Sequence, residues 1–255
     1  MNKKIILDIT NLSVSGRLHQ VTQQVSAGEQ IHLLGANGAG KSTLLAALSG
    51  CESYTGNIYL NHINLKNYSA QELGKQRAYL TQQMGILPSL KVFQYLGLFT
   101  SNCDVNRSIF DVLCRDFQLL PLLAKSINQL SGGEWQRVRI VAMFLQVWDS
   151  YVLSGKIIFF DEPINNLDII HQGILDKWVK YFCDCSGTVI MSGHNLSHSY
   201  KNASQIWMIK KGTLIYTGKP DEIMTDINLS DIFMADIQLI HNSSHRVWQI
   251  IDFDN

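Results

Sequence analysis

An eight-residue stretch at residues 35–42, G-A-N-G-A-G-K-S, constrains this chain more than any other part of its sequence. It fits the phosphate-binding pattern G-x-x-x-x-G-K-[ST] at every fixed position. An apolar segment precedes it, and the helical pattern that follows is ended by Gly50. This order predicts a strand, a tight loop and a helix, whose backbone N–H groups and positive dipole end face one phosphate chain. Lys41 would reach the β- and γ-phosphates, and the Ser42 hydroxyl would ligate Mg²⁺.

Composition excludes several classes of protein. The chain has 255 residues, 46% of them hydrophobic, which suffices for one large domain or for a domain with a subdomain. Its 21 basic and 21 acidic residues balance, and there is no basic tail, so we expect no nucleic-acid partner. No apolar stretch approaches the roughly 18–20 residues that span a bilayer, and Asp8 comes too early for a secretory signal. We expect any membrane role to come through a partner.

Apolar patterning predicts an α/β protein. Three segments alternate polar and apolar side chains, as half-exposed antiparallel strands do: residues 5–14, 18–25 and 56–65. Three continuous apolar runs are typical of central strands covered on both faces: residues 33–34, 157–160 and 188–191. Residues 88–148 have a mostly helical pattern, and a turn signal stands at Lys211-Gly212. We therefore expect an α/β core that is interrupted by a helical insertion.

Two acids, Asp161 and Glu162, follow the apolar run at 157–160. In open α/β sheets, ligands bind at the carboxyl ends of the strands. At such an end Asp161 can hold Mg²⁺, and Glu162 can orient and deprotonate the water that attacks a γ-phosphate. A surface acidic turn is the alternative, and the phosphate-binding loop upstream makes it the weaker one.

A second candidate anion site is the turn of Ser131, Gly132 and Gly133 before Glu134, which opens a helical pattern. Glu134 in the first turn would complement the helix dipole. An ordinary helix cap is the alternative, but a cap needs neither glycine. Two glycines without side chains let the backbone approach a ligand closely. The sequence thus predicts a second helix start that binds an anion.

In this position, the L-S-G-G-E run of residues 130–134 resembles the signature motif of the ATP-binding subunits of ABC transporters. Gln82, the N-N-L-D run of residues 165–168 and His194 match the same family in the same order. The resemblance covers nearly the whole chain. It implies a P-loop NTPase (RecA-like) α/β core with an N-terminal antiparallel β subdomain, together formed by residues 1–83 and 156–255. Residues 84–155 would form the helical signature subdomain of the same single ATP-binding domain.

The resemblance assigns roles to individual residues. The implied ATP-binding residues are Gly35, Ala36, Asn37, Gly38, Ala39, Gly40, Lys41, Ser42 and Thr43. The implied signature residues, which would contact ATP held by a second copy, are Ser131, Gly132, Gly133 and Glu134. Catalysis would involve Glu162, His194 and Gln82, and Mg²⁺ would be held by Ser42, Gln82 and Asp161.

Plainer interpretations stand beside three of these roles. Gln82, implied to sense Mg²⁺ and the γ-phosphate, could be a solvated loop glutamine. His194, implied as the switch histidine that contacts the γ-phosphate, could be a capping or buried histidine satisfied by its neighbours. Asp168, implied to contact the other subunit, could cap the following helix, and these two roles are compatible.

The family also implies the partners. Two copies would pack head to tail as a homodimer and bind integral-membrane permease subunits at the cytoplasmic face of the cell inner membrane. A periplasmic substrate-binding protein would be an indirect partner. The permease would dock near residues 82–99, where Leu87, Leu90, Phe93 and Tyr95 could line a groove for a short helix. The alternative is that these side chains belong to the core of the helical subdomain.

Two features depart from the common family pattern. Many members stack adenine on an aromatic residue, but no aromatic residue precedes Tyr54 here, so Arg17 or His19 could stack instead or could simply be exposed. The stretch at 146–156 is longer than most members need. With the residues flanking the signature, and with His198, it resembles the branch that imports vitamin B12. Importers of iron-siderophore or haem and soluble ABC ATPases remain the alternatives.

Overall fold

The computed structural model describes residues 4–82, 85, 88–100, 104–242 and 245–253. The strands in these ranges are β1 (Ile5–Val14), β2 (Leu18–Ser26), β3 (Gln30–Leu34), β4 (Thr55–Leu60), β5 (Ile63–Asn64), β6 (Arg77–Leu80), β7 (Ile157–Phe160), β8 (Thr188–Ser192), β9 (Gln205–Lys210), β10 (Thr213–Gly218), β11 (Ala235–Asn242) and β12 (His245–Phe253). The helices are α1 (Lys41–Leu48), α2 (Ala70–Gln76), α3 (Val92–Gly97), α4 (Asp104–Asp116), α5 (Gly132–Val147), α6 (Ile169–Asp184), α7 (Leu196–Asn202), α8 (Pro220–Ile223) and α9 (Asp226–Phe233).

A six-stranded sheet of order β10-β9-β3-β8-β7-β6 forms the centre of the molecule. From β9 to β6 each neighbouring pair is parallel, and only β10 runs antiparallel. Every residue of β3, β7 and β8 is buried, so the continuous apolar runs are central strands, as the sequence predicts. Because these strands are parallel, the loops that follow β3, β6, β7 and β8 all emerge at one edge of the sheet.

A smaller antiparallel sheet of order β2-β1-β4-β5 covers the amino-terminal part of the core. The strands predicted at 5–14 and 18–25 are confirmed. The single strand predicted at 56–65 is wrong, because the chain reverses after Leu60 and pairs β4 with β5. Asn61 and His62 have φ values of 50° and 68°, which is the left-handed backbone of a tight hairpin turn. The alternation of polar and apolar residues continues through this turn, so the sequence pattern does not reveal where β4 ends and β5 begins.

The helical region shares a hydrophobic core with the central sheet. Helix α5 buries side chains on all its faces, and it packs against β6, β7 and the helices around it. Phe144 of α5 stacks edge-to-face with Phe160 of β7 and Phe182 of α6, with ring centroids 5.9 Å apart in both pairs. Trp148 and Trp178 continue this aromatic cluster. The predicted domain boundary between residues 83 and 84 lies outside the described residues.

The carboxyl-terminal part adds α8, α9 and the antiparallel hairpin of β11 and β12, which pack on β9 through a third apolar cluster. The predicted turn at Lys211-Gly212 joins β9 and β10. Within the described ranges, no helix has the length and apolar character that a membrane crossing requires.

Replacing Phe144 by alanine should lower the free energy of unfolding by about 3–5 kcal/mol, because this fully buried ring contacts several other aromatic rings. Phe93→Ala is the matched control: this ring is half exposed, and its loss should cost less than about 1 kcal/mol. Urea unfolding followed by tryptophan fluorescence measures both. Equal losses in the two variants would contradict a core built around Phe144.

Candidate active site

The phosphate-binding loop connects the end of β3 to the start of α1, as the sequence predicts. Lys41 opens the helix, and its ammonium donates hydrogen bonds to the carbonyl oxygens of Gly35 and Ala36 at 2.7 and 3.1 Å. The side chain is buried. Burial lowers the pKa of Lys41, while the carboxylates of Glu162 and Asp161 oppose that shift. The cation is thus held inside the loop, where a polyphosphate would compensate for its lost hydration.

Two glycines of this loop are required by geometry. A Cβ atom on Gly35 would lie 2.4 Å from the carbonyl oxygen of Ile209 on β9, which is closer than atoms pack. Gly40 has a φ of 110°, a backbone conformation that side chains disfavour. The loop therefore lies directly on β9 and turns sharply into α1.

The carboxylate of Glu162 is the meeting point of the loops at the carboxyl edge of the sheet. Its Oε2 accepts hydrogen bonds from Gln82 Nε2 at 2.6 Å and from Asn165 Nδ2 at 2.7 Å. Its Oε1 contacts Nε2 of His194, which follows β8. Glu162 has a φ of 52°, in the left-handed region that non-glycine residues rarely occupy. Loops from three parallel strands thus hold one carboxylate in a specific orientation.

Ser192 fixes the two acids relative to each other. Its hydroxyl donates to Oδ1 of Asp161 at 2.7 Å and accepts a hydrogen bond from the backbone N–H of Glu162 at 2.9 Å. Asp161 and Ser192 are buried, so this arrangement is shielded from solvent. Ser192 is the last residue of β8, and sequence reasoning did not identify it because a strand-terminal serine carries no distinctive pattern.

A cavity of about 690 Å³ brings nine of the predicted site residues together. The predicted residues that line it are Asn37, Gly38, Gly40, Lys41, Ser42, Thr43, Gln82, Glu162 and His194. Arg17 and His19, the two candidates for stacking on adenine, also line it. Gly35 and Ala36, together with Asn37 and His194, border a second cavity of about 530 Å³ under the carboxyl-terminal hairpin.

The turn of Lys211 and Gly212 forms one wall of the nucleotide cavity. The Gly212 N–H donates to the carbonyl oxygen of Ala39 at 2.8 Å, and its own carbonyl accepts from the His19 N–H at 2.9 Å. The sequence predicts this turn but not its place, because about 170 residues separate it from the phosphate-binding loop. Lys211 thereby adds a second cation beside Arg17 at the mouth of the cavity.

The signature residues lie outside the cavity of their own chain. The Ser131 hydroxyl caps α5 by accepting from the Glu134 N–H, and the Glu134 carboxylate accepts a hydrogen bond from the Ser131 N–H at 2.7 Å. That hydrogen bond is the main cause of the lowered pKa of Glu134. A Cβ atom on Gly133 would lie 2.8 Å from the Asn166 carbonyl oxygen, whereas one on Gly132 would meet open space. One glycine of the pair therefore has a packing role within the chain, and only Gly132 leaves a clear surface.

Two buried side chains connect helix α5 to the edge of the sheet where Glu162 lies. Gln136 Nε2 donates to the carbonyl oxygen of Pro163 at 2.9 Å, directly after Glu162. Arg139 Nη2 donates to the carbonyl oxygen of Thr81 at 2.6 Å, directly before Gln82. A displacement of the signature helix would therefore shift the backbone next to Glu162 and the backbone next to Gln82, which donates to the Glu162 carboxylate.

Asp168 caps α6. Its Oδ1 accepts from the His171 N–H at 2.9 Å, and its Oδ2 lies 2.8 Å from the His171 ring Nδ1. These two hydrogen bonds lower the pKa of Asp168 below its ordinary value. The other ring nitrogen of His171 lies 3.2 Å from Arg137 on α5. The capping role is thus present in this chain, and the contact with another subunit stays a prediction.

Comparison with known sequences identifies the family. The sequence profile of the ABC transporter family matches residues 18–165. A relative from Photorhabdus laumondii, named "Vitamin B12 import ATP-binding protein BtuD", is 45% identical over 249 residues, covering 96% of this chain and 97% of its own. Proteins of the same name from Yersinia pseudotuberculosis and Escherichia coli are 40% and 36% identical, and this chain covers 97% of each.

Solved structures show the same fold. The ATP-binding subunit of an ABC transporter superimposes with a TM-score of 0.77 at 25% identity, over 86% of this chain and 91% of that one. A metal-chelate type ABC transporter chain superimposes with a TM-score of 0.74 at 19% identity, over 98% of both chains. With a matching profile over more than half of its length and relatives that align from end to end, the chain belongs to the ABC transporter family, as one of its ATP-binding subunits.

Proposed function

We propose that this chain hydrolyses ATP to drive the import of vitamin B12 through a membrane permease. The observation that carries the ATPase assignment is the Glu162 carboxylate, held by Gln82, Asn165 and His194 at the edge that faces the phosphate-binding loop. The assignment of vitamin B12 as the cargo rests on near full-length similarity to relatives that are named for vitamin B12 import.

In the proposed reaction, Glu162 accepts a proton from the water that attacks the γ-phosphate of ATP. Its fixed orientation costs no rearrangement during the reaction, since three neighbours already hold it. Lys41 neutralises charge on the β- and γ-phosphates, and the loop N–H groups bind the phosphate chain. His194 lines the same cavity as Glu162, where it would contact the γ-phosphate.

The oxygen atoms near the phosphate-binding loop suit Mg²⁺. The Ser42 hydroxyl and the Gln82 amide oxygen belong to residues that line the cavity, and the buried Asp161 carboxylate follows β7; all three are hard donors of the kind that this ion takes. No group of three or more His, Cys, Asp or Glu side chains that could hold a metal occurs among the described residues, which fits an ion bound mainly by substrate phosphates. Bound Mg²⁺ would neutralise charge on the transferred phosphoryl group.

We infer a head-to-tail homodimer, since the signature residues do not line the cavity of their own chain. Ser131 and Gly132 are exposed at the amino end of α5, which contributes about half a unit of positive charge. ATP carries several negative charges, so a second helix terminus from the partner copy would add electrostatic stabilisation. In the same assembly, Asp168 would contact the partner copy.

We place the permease contact on the helical region, which we define as residues 84–155 beside a core of 1–83 and 156–255. Phe93 is half exposed there, whereas Leu90 and Tyr95 pack against the shared core and Leu87 lies outside the described residues. The docking surface would therefore centre on Phe93. The chain would act at the cytoplasmic face of the cell inner membrane, with a periplasmic substrate-binding protein supplying the cargo.

The Glu162→Gln variant should bind ATP normally and lose at least about a hundredfold in turnover, because an amide cannot accept the proton. It should also accumulate as an ATP-bound dimer. Nucleotide binding, phosphate release and size-exclusion chromatography measure the three effects. Glu52→Gln, at an exposed site, is the control and should keep wild-type turnover. Normal turnover in Glu162→Gln would remove this residue from the role of base.

The Ser131→Arg variant should lose turnover while its monomer still binds ATP with wild-type affinity, because the blocked surface belongs to the partner's site. Ser108→Arg places the same charge on an exposed position of α4 and should remain active. Equilibrium binding of a fluorescent ATP analogue at low protein concentration measures the affinity. If monomer affinity fell with Ser131→Arg, the shared site would be refuted.

Labelled vitamin B12 uptake into vesicles that contain the permease tests the cargo. Uptake should require ATP and should stop with Glu162→Gln. ATP-dependent uptake of an iron chelate in place of vitamin B12 would replace the cargo assignment and leave the ATPase assignment intact.

A further inference from the structure

A polar cluster, in which His32 and Ser199 are buried while Asp176 and His198 are partly exposed, joins three elements that each lead to a loop of the candidate active site. Strand β3 ends just before the phosphate-binding loop, α6 begins directly after Asp168, and α7 begins two residues after His194. The side chains that meet between these elements are His32 of β3, Asp176 of α6, and His198 and Ser199 of α7. All four lie outside the lining of the nucleotide cavity.

His32 anchors α7 to β3. Its Nδ1 lies 3.0 Å from the Ser199 hydroxyl, and its Nε2 lies 3.1 Å from Gln30 Nε2. Burial, with a smaller effect of the neighbouring His198, lowers the pKa of His32 to about 3, so its ring is neutral. A neutral ring with its proton on Nδ1 satisfies both contacts, since it donates to Ser199 and accepts from Gln30.

His198 anchors the same helix to α6. Its Nε2 lies 2.8 Å from Oδ1 of Asp176, whose Oδ2 accepts from Asn202 at 3.4 Å. The His198 backbone N–H also donates to Oδ1 of Asn195 at 2.9 Å, which caps the helix beside His194. His198 therefore connects α6 to the loop of His194, and Asn202 adds a longer contact between α6 and α7.

Helix α7 depends on these polar contacts. It has seven residues, and Ser199 is the one that is fully buried. So short a helix is not stable alone, and its position must come from tertiary contacts. Leu196 and Tyr200 give it partial apolar packing. The hydrogen bonds to β3 and α6 are directional, and they fix the rotation and position of the helix.

We propose that His198 and Asp176 are positioning residues for His194. Their contact holds α7 against α6, and α7 in turn keeps His194 against the Glu162 carboxylate. This inference rests on the proposed ATPase function. It assigns the pair no contact with ATP, because neither residue lines the nucleotide cavity.

Steady-state ATPase assays on full-length variants test the pair. Asp176→Ala and His198→Ala should each lower kcat about tenfold, because His194 loses its fixed position. KM for ATP should stay within about twofold of wild type, since the phosphate-binding loop is unchanged. Asp184→Ala is the matched control on α6: it removes an exposed ion pair with Lys180 at 3.2 Å and should leave kcat unchanged.

Two further variants separate positioning from general damage. His198→Gln keeps a donor at similar reach and should restore most of kcat. The double variant Asp176→Ala/His198→Ala should lose clearly less kcat than the product of the two single losses, because both single variants already remove the Asp176–His198 contact.

Several results would overturn this inference. The first two are a wild-type kcat in Asp176→Ala and a single variant in which KM for ATP rises while kcat is unchanged. The other two are a His198→Gln variant as slow as His198→Ala and a double variant whose loss of kcat is the product of the two single losses. A wild-type chain that hydrolyses no ATP would overturn the proposed function and this inference together. An active wild type with unchanged variants would overturn the inference alone.

Discussion

The parallel alignment of β3, β6, β7 and β8 is the constraint on which the rest of the site depends. It brings four loop segments that are far apart in sequence to one edge of the sheet. At that edge, Glu162 in a left-handed conformation meets side chains from the other loops. The buried apolar strands supply the packing that holds this uncommon backbone conformation in place. A change that destabilises the sheet should therefore also disturb the orientation of the Glu162 carboxylate.

Hydrogen bonds of α5 and α6 connect this edge of the sheet to the surfaces where we expect the permease and the second copy to bind. Gln136 and Arg139 connect the signature helix to both sides of the Glu162 carboxylate, and Arg137 connects it to the His171 ring that pairs with Asp168. A movement of the helical region would thus alter the edge through directional hydrogen bonds. This gives a physical route by which a permease that binds near Phe93 would affect hydrolysis.

The sequence is sufficient to predict features that depend on local pattern. The phosphate-binding loop, the Asp161-Glu162 pair and the central strands each have spacing or composition that reports directly on structure. Features made by contacts between distant segments could not be predicted: the place of Lys211, the role of Ser192 and the cluster around His198 are examples. The hairpin at Asn61-His62 was missed for a different reason, since neither residue is a glycine and the apolar alternation continues through it.

In the proposed homodimer, each chain supplies half of each of two hydrolytic sites, and the second copy completes them. Mixing two inactive variants tests this directly. Lys41→Ala lacks the ammonium of its own phosphate-binding loop but keeps an intact signature surface. Ser131→Arg keeps an intact phosphate-binding loop but blocks the signature surface that it offers to the partner copy. Equal amounts should recover up to about a quarter of wild-type ATPase activity, because half of randomly formed dimers are mixed and each has one intact site of two. Mixtures as inactive as either variant alone would contradict the account.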